Sequence, residues 1–116
     1  MILAVLDDLM FTSKIKTTAG QLGVAVTFAR SADAARAALE SATPPTLVIL
    51  DLNNARVDPL GLAASIKSTP ALASIPTIGY VSHVQTDLIE AARRAGVGDV
   101  IARSAFVAQL PEILKR

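Results

Sequence analysis

Thr46-Leu47-Val48-Ile49-Leu50-Asp51 is the stretch on which the reading of this chain turns: an aliphatic run with no polar interruption that ends on a carboxylate. Such a run, apolar without alternation, fits a strand buried on both faces, as in a parallel sheet covered by helices. In open α/β sheets ligands collect outside the carboxyl ends of the strands, so an acid set where such a strand runs out is placed as a site residue. Ile2-Leu3-Ala4-Val5-Leu6 is a second run of this kind, and it ends in Asp7-Asp8. Three carboxylates delivered to one sheet edge would make a pocket for a hard cation.

Outward from these two runs, strand and helix patterns alternate. Ile15, Ala19 and Leu22 recur at helical spacing with Lys14 and Lys16 facing away, and Gly23 marks the helix end. Residues 24–29 read as a second strand. Ser31 is an N-cap for an alanine-rich helix over 32–40 that turns Ala35, Ala38 and Leu39 inward, and Pro44-Pro45 ends that segment. Beyond Asp51, a polar loop over 53–58 leads into a helix from about Pro59, with Leu62, Ala63 and Ile66 on one face. Pro70 and Pro76 bracket a connector. Residues 77–81 form a fourth strand, 87–95 a fourth helix closed by Gly96, and 97–102 a fifth strand. A last helix runs toward Arg116, and Pro111 inside it costs about 3 kcal/mol unless it falls in the first turn, which predicts a short or kinked helix.

Five βα units in succession predict an α/β fold, a flavodoxin-like (βα)5 doubly wound parallel sheet, because right-handed crossovers put helices on both faces. Its common strand order, 2-1-3-4-5, sets the ends of strands one and three side by side. Asp7, Asp8 and Asp51 then converge.

Composition narrows the function classes. The 116 residues suffice for one core and are too few for two, so residues 1–116 are expected to form a single domain with no output domain attached. With 52% hydrophobic and 18% charged residues, the chain is not disordered. No apolar run approaches the roughly 18 residues of a membrane helix, and the first residues read as a strand instead of a signal sequence, so a cytoplasmic location is expected. The absence of cysteine excludes disulfides, thiolate chemistry and cysteine-ligated zinc, and a single histidine, His83, argues against any zinc site. Eleven basic residues against ten acidic ones, scattered along the chain, argue against nucleic-acid binding; one tyrosine and three phenylalanines leave no base-stacking platform. A small-molecule enzyme finds little support, since no glycine-rich phosphate loop or flavin sandwich is present.

On these residues the chain resembles the receiver domains of two-component response regulators over essentially its whole length. Receivers carry an acidic pair after strand one, a phosphoacceptor aspartate after strand three, Thr or Ser after strand four and Lys-Pro after strand five. Asp51 matches the phosphoacceptor, and Asp51-Leu52-Asn53-Asn54-Ala55-Arg56-Val57-Asp58 resembles the family's Asp-Leu-x-Met-Pro-x-Met-Asp. Gly96, Asp99 and Val100 resemble the family's Ala-Gly-Ala-x-x-Tyr segment. The resemblance implies Mg²⁺ held by Asp7, Asp8, Asp51 and the backbone carbonyl of Asn53, with Arg103 and Ser82 touching the phosphoryl group. It also implies a histidine kinase or phosphotransfer protein as donor and an unidentified downstream protein as target, with no nucleic acid and no membrane. Members often dimerise through the last strand and helices, which keeps a homodimer among the options.

The departures fall on working parts. Arg103 stands where the family has lysine, Ser104 where it has proline, and Val100 where an aromatic switch residue is common. Counting without gaps from Asp51 puts Val81 at the Thr/Ser position, while a slip of one supplies Ser82. The same count makes Asp7 the second acid and Leu6 the first; one deletion in the following helix restores Asp7 and Asp8. A phosphorylation-independent pseudo-receiver, an interaction module with an impaired pocket, is therefore the alternative. Local roles compete as well: Asp51 capping the amides of Asn53 or Asn54 as an Asx turn, Asp7-Asp8 as helix N-caps, and Arg93-Arg94 as a solvated helix end.

Overall fold

The computed structural model describes residues 1–82 and 85–116; His83, the single histidine, lies outside the described residues. The chain forms β1 (Ile2–Val5), α1 (Leu9–Leu22), β2 (Val26–Ala29), α2 (Ala32–Leu39) and β3 (Leu47–Asp51). A 3-10 turn over Ala55–Val57 follows, then α3 (Pro59–Ser68), β4 (Thr77–Val81), α4 (Thr86–Ala95), β5 (Asp99–Ala102), α5 (Arg103–Ala108) and α6 (Leu110–Leu114). All five strands are parallel in the order β2-β1-β3-β4-β5, the flavodoxin-like topology expected from the sequence.

Strand alternation divides the core in two. Leu3, Val5, Val48, Leu50 and Val81 face one way and pack on Leu39 of α2, Leu62 and Ile66 of α3 and Ala92 of α4. Ile2, Ala4, Leu6, Ile49, Ile78 and Tyr80 face the other way, onto Phe11 and Ile15 of α1, Phe106 of α5 and Ile113 of α6. Asp51, two residues beyond Ile49, therefore projects on the α1 and α5 side, because side chains in a strand repeat with period two.

The element boundaries depart from the sequence reading for identifiable reasons. Residues 24 and 25 do not extend β2: Gly23 adopts φ 69° and the Val24 N–H donates to the Ala19 carbonyl at 2.9 Å, closing α1. Residues 97 and 98 are lost to β5 in the same way, since the Val97 N–H donates to the Ala92 carbonyl (3.0 Å) and the Gly98 N–H to the Thr77 hydroxyl (2.8 Å). Helix α2 ends at Leu39 with Glu40 as its C-cap, and α4 begins one residue early, at Thr86. The last helix is two: Gln109 ends α5 and starts α6, which places Pro111 in the first turn of α6, where it removes no helical hydrogen bond. Ser31 caps α2 as expected, its hydroxyl accepting from the Ala34 N–H at 3.1 Å.

Candidate functional site

Asp51 is the last residue of the central strand. The register sets it beside Tyr80 of β4 and, one step past the paired part of β1, beside Leu6. Leu6 is fully buried and Tyr80 1% exposed, so the carboxylate stands half-buried between an aliphatic and an aromatic wall. Burial raises its pKa above the usual carboxylate value, opposed by the Asn53 N–H and by the charge of Arg103. Its Oδ1 accepts from the Asn53 N–H at 3.1 Å, the Asx turn that the sequence offered as a local role.

Each of the other two acids is also engaged. Asp8 is the N-cap of α1: Oδ1 accepts from the Phe11 N–H at 3.0 Å and Oδ2 from Arg103 Nη2 at 2.9 Å. The Phe11 amide first, and Arg103 second, hold its carboxyl below the usual range. Arg103 opens α5, and its guanidinium lies 4.4 Å from the Phe11 ring centroid, a cation–π contact. Asp7 accepts from Arg30 Nε at 2.9 Å on Oδ1 and from Arg56 Nη1 at 2.8 Å on Oδ2. Arg30 follows the end of β2 and Arg56 sits in the 3-10 turn after β3, so the strand ends that gather the acids also gather their partners.

The Asn53 side chain bridges two loops, its Oδ1 accepting from the Ser82 N–H at 2.7 Å and its Nδ2 donating to Gln85 Oε1 at 2.6 Å. Ser82 thus meets the site through its backbone. Val81, the last residue of β4, is buried on the face opposite Asp51. Val100 is half-buried against that same core, and Ser104 is exposed in the first turn of α5. Arg93 and Arg94 are solvated, Arg94 pairing with Glu90 at 3.5 Å. Sequence reasoning missed Arg30, Arg56, Gln85, Phe11 and Tyr80. Arg30 and Arg56 were findable, because both lie within a few residues of a strand's carboxyl end.

Of the four residues expected to ligate Mg²⁺, Asp7 and Asp8 have both carboxylate oxygens engaged by groups of the chain itself. Mg²⁺ requires near-octahedral oxygens at close range. Here Leu6 supplies no oxygen, both oxygens of Asp7 are on arginines, both of Asp8 are on an amide and an arginine, and one oxygen of Asp51 is on the Asn53 N–H. Among the described residues no three His, Cys, Asp or Glu side chains are grouped to hold a metal ion.

Beneath the acids, Phe11, Tyr80 and Phe106 pack with centroids 4.8–5.6 Å apart. The Tyr80 hydroxyl is buried without a hydrogen-bond partner among the described residues, and burial together with the negative charge of Asp51 raises its pKa. A buried hydroxyl left unpaired is unfavourable, so Tyr80→Phe, which keeps the ring contacts, is expected to stabilise the protein by about 1 kcal/mol. Urea unfolding would read this as a higher midpoint at unchanged slope.

Asp51 also gives a pH signature. The native chain holds this proton more tightly than the unfolded chain, so stability falls as pH rises from the ordinary carboxylate pKa through the raised one. Asp8 acts oppositely, its contribution present above the ordinary value and lost as pH falls through the lowered one. An NMR titration of the side-chain carboxyl carbons is expected to find Asp51 ionising at higher pH than Asp8. Equal midpoints would contradict the apolar seat of Asp51.

The chain has the receiver-domain fold of response regulators, a fold of signalling modules, with an aspartate at the end of the central strand. Among solved structures, it is similar to the phosphorylated cyanobacterial phytochrome response regulator RcpA, with 29% identity, a TM-score of 0.83 and coverage of 98% of this chain and 87% of that one. The receiver domain of NtrX from Brucella abortus is 26% identical, with a TM-score of 0.82 and coverage of 100% and 96%. The Mn²⁺-bound form of response regulator Rcp1 is 22% identical, with a TM-score of 0.82 and coverage of 97% and 89%, a likeness of fold. No protein-family model matches the chain, and no curated protein does. No helix among the described residues is long and apolar enough to cross a membrane.

Proposed function

We propose that this chain is a receiver in two-component signalling that accepts a phosphoryl group on Asp51 from a histidine kinase or phosphotransfer protein and passes the signal on by protein contact in the cytoplasm. The observation that carries this reading is the seat of Asp51. It ends the central strand of a receiver fold, one oxygen is oriented by the Asn53 amide, and the Arg103 guanidinium is close enough to favour its charged form.

In this reading an Asp51 oxygen attacks phosphorus, the P–N bond to the donor imidazole breaks, and the imidazole nitrogen keeps the electron pair and takes a proton from solvent. The product is an acyl phosphate. Catalysis of such a transfer is mostly positioning and charge stabilisation. Arg103 supplies charge by leaving Asp8 for a phosphoryl oxygen, and the Ser82 and Asn53 loops close the other side. A cation site such as that of Mn²⁺-bound Rcp1 is not part of the reading, because Asp7 and Asp8 are held by arginines. The acyl phosphate then biases the loops after β3 and β4 and, through them, α4 and β5 toward a downstream protein. Beyond that self-modification the chain catalyses nothing.

The second reading, a phosphorylation-independent pseudo-receiver, is favoured by one specific observation: Leu6 and Val81, which a gap-free count sets at the family's first acid and its Thr or Ser, are buried alkyl groups. Intact-mass analysis after incubation with acetyl phosphate separates the two. A phosphoryl adduct supports the receiver, and a folded protein that takes none overturns it in favour of the pseudo-receiver.

A further inference from the structure

Three aspartates and three arginines meet at the carboxyl edge of this sheet. Asp7 is paired with Arg30 and Arg56, Asp8 with Arg103, and Arg103 also acts electrostatically on Asp51. We infer that these guanidinium groups take the place of a divalent cation, so that the acidic edge is neutralised from within the chain and Arg30 and Arg56 hold Asp7 away from metal.

Geometry supports this before energy does. The arginines come from three separate segments, the end of β2, the turn after β3 and the start of α5, yet each reaches an aspartate oxygen at 2.8–2.9 Å. Arg30 and Arg56 occupy the two oxygens of one carboxylate, so Asp7 has no oxygen left unpaired for a cation. Asp8 is fixed by its cap to α1, and turning it toward metal would give up both the Phe11 amide and Arg103. Leu6 removes a further acid from beside Asp51. With three positive and three negative side chains, the edge has no net charge left for Mg²⁺ to balance.

Energy sets how strong the exclusion is. Arg56 and Arg30 are 81% and 65% exposed, and an exposed pair contributes only about 0.2–1 kcal/mol to stability. Their effect on a cation is larger in consequence, because binding at Asp7 must break both pairs and bring a divalent charge against two guanidinium groups a few ångströms away. Removing both arginines without touching the fold is therefore expected to open the site.

The metal inference stands on the fold alone; its extension, that phosphoryl transfer needs no metal, rests on Asp51 being a phosphoacceptor. The test is a Mn²⁺ titration read by water-proton relaxation on wild type, on Arg30→Ala/Arg56→Ala, and on Arg93→Ala/Arg94→Ala as a charge-matched control remote from the edge. The expected result is no saturable site in wild type or control and a gain of about tenfold or more in affinity in the edge variant, abolished by adding Asp7→Asn. Saturable binding in wild type would overturn the inference, and so would an edge variant that gains nothing. Acetyl phosphate labelling in the presence of EDTA decides the extension: labelling equal to that in Mg²⁺ supports it, and labelling that EDTA removes overturns it. Absence of label under both conditions would count against the phosphoacceptor reading, with the Mn²⁺ titration still deciding the metal inference.

Discussion

Asp51→Asn is expected to take up no phosphoryl group from acetyl phosphate while unfolding no earlier than wild type at neutral pH. The carboxamide has no anionic oxygen to attack phosphorus, yet it is nearly isosteric, and its Oδ1 can still accept from the Asn53 N–H that orients the wild-type side chain at 3.1 Å. Stability is the informative half of the prediction. Asp51 bears a burial penalty between Leu6 and Tyr80 that a neutral amide escapes, so the variant gains relative to wild type at neutral pH. That gain should vanish below the ordinary carboxylate pKa, where the wild-type proton is back in place. Paired urea titrations at the two pH values read it, beside intact masses. A variant that still labels would move the acceptor to another group, with Asp7 and Asp8 the first to substitute. A variant that unfolds earlier at neutral pH would mean that the charged carboxylate is stabilised at this edge.

Phe106→Ala is expected to have the largest effect on stability, a loss of about 3–5 kcal/mol, as for large aromatic truncations in closed cores. Phe106 is fully buried and lies 4.9 Å from Tyr80 and 5.6 Å from Phe11, centroid to centroid, so little can collapse into the space it leaves. Since a domain of this kind holds about 5–15 kcal/mol in total, one substitution removes a large part of it. The effect also reaches the site. Phe11 packs against Phe106 and also receives Arg103, so loosening the ring cluster is expected to loosen the Arg103–Asp8 pair. Equilibrium unfolding monitored by far-UV circular dichroism measures the first consequence. A loss below about 1 kcal/mol would show that the cluster is not a closed core.

How legible the molecule was in its sequence depended on whether a signal was local or long-range. Leu47 to Leu50 are apolar without alternation, and only a central parallel strand buries every one of them; the strand order followed from five βα units and the handedness of their crossovers. Gly23 and Gly96 marked helix ends because positive φ is inexpensive for glycine, but the closing turns each took two residues from the strand that followed, which composition alone does not reveal. Asp51 and Asp8 were placed at the edge from their positions at strand ends. What escaped was their charge balance. Arg30 lies 23 residues from Asp7 and Arg56 lies 49 residues from it, separations at which no periodicity connects two side chains. Tyr80 escaped for a different reason: within an apolar run it reads as core, and only the pairing of β4 with β3 sets its ring beside Asp51.

That placement makes the protein its own optical probe. The chain contains one tyrosine and no tryptophan, so its near-ultraviolet emission arises almost wholly from a single ring, the one adjoining Asp51 and roofed by Phe11 and Phe106. Changes of charge at the end of the central strand act directly on that chromophore. Ionisation, ligand entry and modification at this edge can thus be followed in real time on the unlabelled chain.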